Sequence, residues 1–368
     1  MQEHLLDAVL QGLSEDTGDF WIDQSVPVLD NPDPIAFLRA VCAYHPVIIR
    51  GAIDHWDALH RWNSSYLVDI LGDRTVAVNL TPDGHGDCVK YVDTSWLHLD
   101  LEVDASSQSS NEQPTTSNTP TDANNMEPYF VYPAESDMRL SSFFDLLEDR
   151  DRSIVPYLSQ QNDNVRTSMP ELLRDIDSSL LLANAAFDAL EPEAINIWIG
   201  DERSVSSLHK DHFENMYAVV SGEKTFTLFP PTDAAFLPEG EFPTLRYCLA
   251  EDDGEPSMRL GLSSAGCDFP TLRWIHYDPD ADCLHHRGST PVLSSQFAHP
   301  LRCTLSAGEV LYIPAMWSHR VSQTCHTVAV NYWYDQRFDF RYVFYQTVKR
   351  ISAAVEIPLS AYGKSSSV

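Results

Sequence analysis

Between Ile195 and Asp335 the chain is cut into short runs of β-branched and aromatic residues separated by turn formers. Ile195–Ile199, Met216–Val220, Thr225–Phe229, Val310–Ile313 and Thr327–Trp333 are such runs. Each is strand-length, and Val328-Ala-Val-Asn331-Tyr-Trp-Tyr334 alternates with a period of two. Ser221-Gly-Glu-Lys224 reads as a tight turn joining two of them. Strands linked at such short intervals predict a mostly β fold, an antiparallel barrel or a double-sheet jelly roll.

Helical spacing appears mainly at the two ends. Leu5, Leu6, Val9, Leu10 and Leu13 predict an amphipathic helix over 3–14. Ile35–Cys42 reads as a second, opened by Asn31-Pro-Asp-Pro34. Ser142–Arg150 is a third, and Tyr342, Val343, Tyr345, Val348 and Ile351 mark a C-terminal one. Val47–Arg50, Val76–Leu80 and Tyr129–Tyr132 read as strands outside the main run. Residues 103–127 are Ser, Thr, Asn, Gln and Pro with almost nothing to bury. Such a tract cannot offset its ordering entropy and is expected to be a disordered insertion. Residues 250–300, acidic and containing Gly and Pro, read as a long irregular excursion.

Composition removes several function classes. The balance of 24 Lys+Arg against 54 Asp+Glu gives a net charge of −30, with no dense basic cluster. A chain so acidic is not drawn to nucleic acid or to anionic lipid. It would attract a basic peptide or protein, although excess acid also simply keeps a protein in solution. The seven cysteines, an odd number, are scattered without a CxxC pair. Free thiols in a reducing compartment follow, so cytoplasm, nucleus or both is the expected location. No stretch approaches the length of a membrane span, and the acidic N-terminus is unlike a signal peptide.

The chemistry concentrates at Leu208-His-Lys-Asp-His-Phe-Glu-Asn215. His209 and Asp211 are two residues apart, and on a strand that spacing puts both on one face. His319 follows the strand Val310–Ile313, after Pro314 bends the chain. Two imidazoles and one carboxylate leave three adjacent positions open on an octahedral iron. HxD is nevertheless a short motif in a chain with 14 histidines, and His212 or the His285-His286 pair offers other ligands. Lys224 shares a strand face with Phe226 and Leu228. A cation inside a barrel must meet an anion, such as the far carboxylate of 2-oxoglutarate. Spacing alone favours a rim lysine snorkelling to water. Asn331 is an amide on an otherwise apolar face, with a hydrogen-bonding task to explain. Zinc-hydrolase signatures such as HExxH are absent.

With those residues go Ile48-Ile-Arg-Gly-Ala52, Thr81-Pro-Asp-Gly84, Asn196-Ile-Trp-Ile-Gly200, Val220-Ser-Gly-Glu-Lys224, Gly308–Trp317 and Asn331-Tyr-Trp-Tyr-Asp335. As an ordered set they resemble the JmjC-domain oxygenases, in particular the small JmjC-only branch of lysyl-hydroxylase type. The resemblance implies a double-stranded β-helix, with an N-terminal α/β region over 1–135, a JmjC core over 136–337 and a C-terminal helical segment over 338–368. It implies Fe(II) on His209, Asp211 and His319, with 2-oxoglutarate and O2 as co-substrates. It places Lys224 and Tyr157 on the far carboxylate, and Ser206, Asn215 and Asn331 in the same pocket. It further implies a protein or peptide substrate hydroxylated on lysine, and homodimer contacts through the C-terminal helices. Hydroxylation of Asn, Asp, His or Arg, and N-methyl-lysine demethylation, use the same iron chemistry. A cupin-like metal-binding scaffold without oxygenase activity is the alternative of another class.

Overall fold

Strand pairing decides the architecture. The computed structural model describes residues 2–93, 126–150, 153–187, 191–252, 255–262, 270–280 and 297–355. Two sheets face each other. The larger has six strands in the order 28–30, 47–50, 310–313, 213–221, 327–335 and 194–200. The smaller has five, in the order 301–306, 223–229, 318–323, 205–209 and 85–86. Consecutive core strands pass back and forth between the sheets, which is the double-stranded β-helix expected from the sequence.

The larger sheet is apolar on both faces because it is covered on both. Ile195, Ile197 and Ile199, with Met216, Ala218, Val330 and Tyr332, pack against a helical layer containing Phe37, Phe143 and Leu172. The intervening residues Trp198, Tyr217, Val219 and Ala329 pack inward against Phe226, Leu228 and Val321 of the smaller sheet. Strand alternation therefore sorts side chains into a structural layer and a barrel interior. The turn between Phe213–Ser221 and Glu223–Phe229 needs Gly222. Its φ is +76°, and a Cβ there would sit 2.4 Å from the carbonyl of His326.

The helical ends form as expected and run longer. The first helix covers Gln2–Phe20 and the last Phe340–Val355. Helix Pro34–Ala43 is capped by Asp33, which accepts from Ala36 N at 2.7 Å. The third expected helix spans Leu140–Glu148. Two short helices, Asn164–Ser168 and Leu181–Phe187, carry too few periodic residues to stand out in sequence.

Residues 250–300 are not simply irregular. Glu239–Asp252 is a long strand that pairs with Glu255–Leu262, with Thr271–Ile275 and, in parallel, with Met126–Tyr132. Its strands mix buried residues such as Phe242, Leu245 and Tyr247 with charged ones such as Glu241 and Arg259, and so escape an apolar pattern. The 103–127 tract apart from Met126 and Glu127, the His285-His286 pair and residues 356–368 lie outside the described residues. Among the described residues no helix is long and apolar enough to cross a membrane. Cys42, Cys88, Cys248, Cys303 and Cys325 are free thiols.

Candidate metal centre and co-substrate pocket

His209 ends the strand Val205–His209, and His319 lies on Ser318–Gln323 directly opposite in the antiparallel register. Pairing brings these distant residues together, with ring centroids 4.3 Å apart. Asp211 is not on the strand, as its spacing suggested. It sits in the connection that crosses to the other sheet, where its carbonyl accepts from Met316 N at 2.9 Å. Its Oδ2 lies 3.9 Å from His209 Nε2 and 3.6 Å from His319 Nε2. One ligand atom from each of the three falls within 4.8 Å of the others.

The imidazoles are set for ligation by their own backbone. His209 Nδ1 meets Ser207 O at 2.7 Å, and His319 Nδ1 meets Trp317 O at 3.0 Å. A proton donated there leaves each Nε2 lone pair facing the centre. Burial, and then neighbouring His209, push the His319 pKa down to about 4 against the opposing effect of Asp211. The imidazole is thus neutral at physiological pH, as ligation requires. Trp274 lies parallel to the His209 ring at 6.1 Å.

A latch fixes the bend that delivers His319. The buried Glu214 carboxylate accepts from Tyr312 Oη at 2.7 Å and from Ala315 N at 3.2 Å. Tyr44 Oη donates to Ala315 O, and Trp317 Nε1 donates to Tyr44 O at 3.0 Å. Met316 takes a left-handed φ of 64° within the bend.

Lys224 is 1% exposed and is no rim lysine. Its Nζ donates to Tyr157 Oη at 3.0 Å, and it makes no ion pair among the described residues. Burial alone lowers its pKa to about 7. Burial raises the Tyr157 pKa, and a hydrogen bond with Ser206 opposes that. Gly200 makes room for the phenol: a Cβ there would lie 2.7 Å from Tyr157 Cδ2. Asn331 Nδ2 donates to Asn215 Oδ1 at 3.2 Å, and Trp198 Nε1 donates to Asn331 Oδ1 at 2.8 Å. That is the task the sequence left open for Asn331.

One cavity gathers these groups. Tyr157, Ser206, His209, Asp211, Asn215, His319 and Asn331 all line it, while Lys224 stands behind Tyr157. His212 does not join them; its Nδ1 meets Gln336 Nε2 at 2.8 Å. The sequence reading missed Trp274, Trp333 and Asp87, which also line the cavity. Trp333 could have been found, because it shares the Asn331 strand face. Its buried Nε1 has no acceptor among the described residues.

The residues fit an Fe(II) and 2-oxoglutarate site. The donor set is two imidazoles and a carboxylate with a cavity on one side, and a buried lysine that makes no ion pair among the described residues stands beside it. A double-stranded β-helix carrying such a triad defines the class of cupin-like oxygenases.

Comparison with known proteins narrows the class. A cupin-like domain family matches residues 34–340. The chain is 35% identical over 360 residues to the human bifunctional peptidase and (3S)-lysyl hydroxylase JMJD7, covering 96% of this chain and 99% of that one. It is 30% identical to JmjC domain-containing protein E of Dictyostelium discoideum, with 93% of each covered. It is 35% identical to lysine-specific demethylase JMJ32 of Arabidopsis thaliana, covering 87% of this chain and 84% of that one. The chain belongs to the cupin-like JmjC family and is a 2-oxoglutarate-dependent dioxygenase. Enzymes of this family depend on Fe(II) and 2-oxoglutarate.

Proposed function

We propose that this chain hydroxylates a lysyl side chain of a protein partner, with Fe(II) held by His209, Asp211 and His319. The observation that carries the site is the triad beside a buried Lys224 that makes no ion pair among the described residues. The lysyl target is supported by the relative named a (3S)-lysyl hydroxylase, which aligns along nearly the whole chain. When bound, iron and 2-oxoglutarate supply oxidation of an unactivated C–H bond by O2, the co-substrate leaving as succinate and CO2.

The protein's part is holding and orienting. The Ser207 and Trp317 carbonyls fix the tautomer of each histidine. Lys224 and the Tyr157 hydroxyl take the far carboxylate of 2-oxoglutarate, and Ser206 steadies the phenol. The Trp198–Asn331–Asn215 chain holds both amides in one orientation along the wall. Trp274 and Trp333 limit water access from the sides they cover.

Intracellular location, in cytoplasm or nucleus, and homodimerisation through the C-terminal helix belong to the same reading. The exposed Phe338, Phe340, Val343 and Phe344 support the dimer. The net charge of −30 suits a basic partner.

A second reading is N-methyl-lysine demethylation, favoured by the equal identity to a lysine-specific demethylase. Mass spectrometry of lysyl and methyl-lysyl peptides, treated with iron-loaded protein and 2-oxoglutarate, separates the two. Gain of one oxygen on unmethylated lysine is expected; loss of a methyl group without that gain sinks the hydroxylase reading. Asp211→Ala should abolish succinate formation while its circular dichroism stays that of the parent. Undiminished turnover in that variant would remove Asp211 from the iron.

A further inference from the structure

Asp87 is a cavity carboxylate that the proposed mechanism leaves unused. It adopts a left-handed φ of 47° between Gly86 and Cys88. Its backbone is tied down: its carbonyl accepts from Ser207 Oγ at 2.6 Å, and Trp274 Nε1 donates to the same Oγ at 3.1 Å. Asp87 is thereby anchored to the strand that ends in His209.

Its side chain has no such tie. Among the described residues the carboxylate makes neither a hydrogen bond nor an ion pair; burial raises its pKa, the longer-range charges of His209 and Arg246 lower it, and that of Glu135 raises it. Arg246, which shares the adjoining groove, is committed elsewhere. It donates to Pro133 O, pairs with Glu135 at 3.3 Å and lies over the Tyr132 ring.

Charge accounting points to an occupant. The residues lining the cavity include two acids, Asp87 and Asp211, and no Lys or Arg. A divalent iron and the dianion of 2-oxoglutarate cancel, and the Lys224 ammonium offsets Asp211. Asp87 is left over. A half-buried carboxylate in a cavity is costly unless a cation meets it.

We infer that Asp87 is the specificity-determining carboxylate of this site, receiving the cationic head of the substrate side chain. The aliphatic stem then lies along Trp274, on the way to His209. The inference rests on the lysyl reading above and deepens it, since it says why a basic side chain is chosen.

The test reads binding rather than turnover. Full-length protein is loaded with Mn(II) and N-oxalylglycine, so that nothing reacts. Peptide libraries of random flanks, carrying either lysine or norleucine at the centre, are measured for retention. The parent should prefer lysine by about 10-fold or more, and Asp87→Asn should bring the ratio to within about 2-fold. Asn tolerates the left-handed backbone as Asp does, so the fold and the Mn(II) affinity should hold. A parent without lysine preference, or an Asp87→Asn protein that keeps it, overturns the inference. Mass spectrometry on iron-loaded parent separates the two claims. Oxygen on lysine with the preference intact in Asp87→Asn rejects Asp87 alone. A lost preference with no oxidised lysine keeps Asp87 and rejects the lysyl hydroxylase reading.

Discussion

Lys224 trades stability for binding. Folding buries its ammonium with, among the described residues, a phenol oxygen as its one hydrogen-bond partner, which is costly. Lys224→Met keeps the length of the side chain and removes the charge. It should raise the stability of the ligand-free protein by roughly 1–3 kcal/mol, read by denaturant unfolding, and abolish 2-oxoglutarate turnover. A Met variant no more stable than its parent would mean that the ammonium is better satisfied than its contacts indicate.

The same residue makes co-substrate binding pH-dependent. The folded lysine titrates near 7, whereas the unfolded one holds its proton to 10.5. Between these values the unfolded chain binds the extra proton, so this group's contribution to stability rises with pH; below 7 it is a constant penalty. A bound carboxylate restores the ammonium. At pH 8, 2-oxoglutarate binding should therefore take up a proton, seen by calorimetry in buffers of different ionisation enthalpy. Affinity should weaken as pH climbs above 7. Binding without proton uptake at pH 8 would contradict this.

At the scale of elements, the bend from Pro314 to Trp317 is what places His319. It is held from two sides, by Glu214 of the neighbouring strand and by Tyr44 at the end of helix Pro34–Ala43. Glu214→Ala removes the acceptor for both Tyr312 Oη and Ala315 N. Metal affinity should fall roughly 10-fold in a Mn(II) titration, as for other groups that orient ligands from behind. Unchanged affinity would show that the Tyr44 side alone suffices.

For the whole molecule, the C-terminal helix has two apolar faces. Tyr345 packs against Ala315 and Met316 and so braces the bend. Phe340 and Val343, 78% and 63% exposed, face outward. A helix apolar on both sides expects a partner on each. Sedimentation should show a dimer for the parent and a monomer for Val343→Glu. A parent that is monomeric at all concentrations would refute the dimer.

Local alternation and tight-turn residues sufficed for an antiparallel barrel or jelly roll, because the period of two is a property of neighbouring residues, and the resemblance carried by the ordered motifs narrowed this to the double-stranded β-helix. The His209 and Asp211 pair was legible as a short motif, although Asp211 reaches the centre from a connection and not by strand alternation, and His319 came from the set of motifs. Tertiary structure decided the rest. Whether Lys224 snorkelled or was buried depended on Tyr157 arriving from a separate strand and on Gly200 leaving room for it. Trp274 and Asp87 reach the cavity from a side sheet and a turn whose own sequences look solvated. Register sets His209 opposite His319, and only the closed barrel fixes that register, because no local pattern specifies which residues of two distant strands will pair.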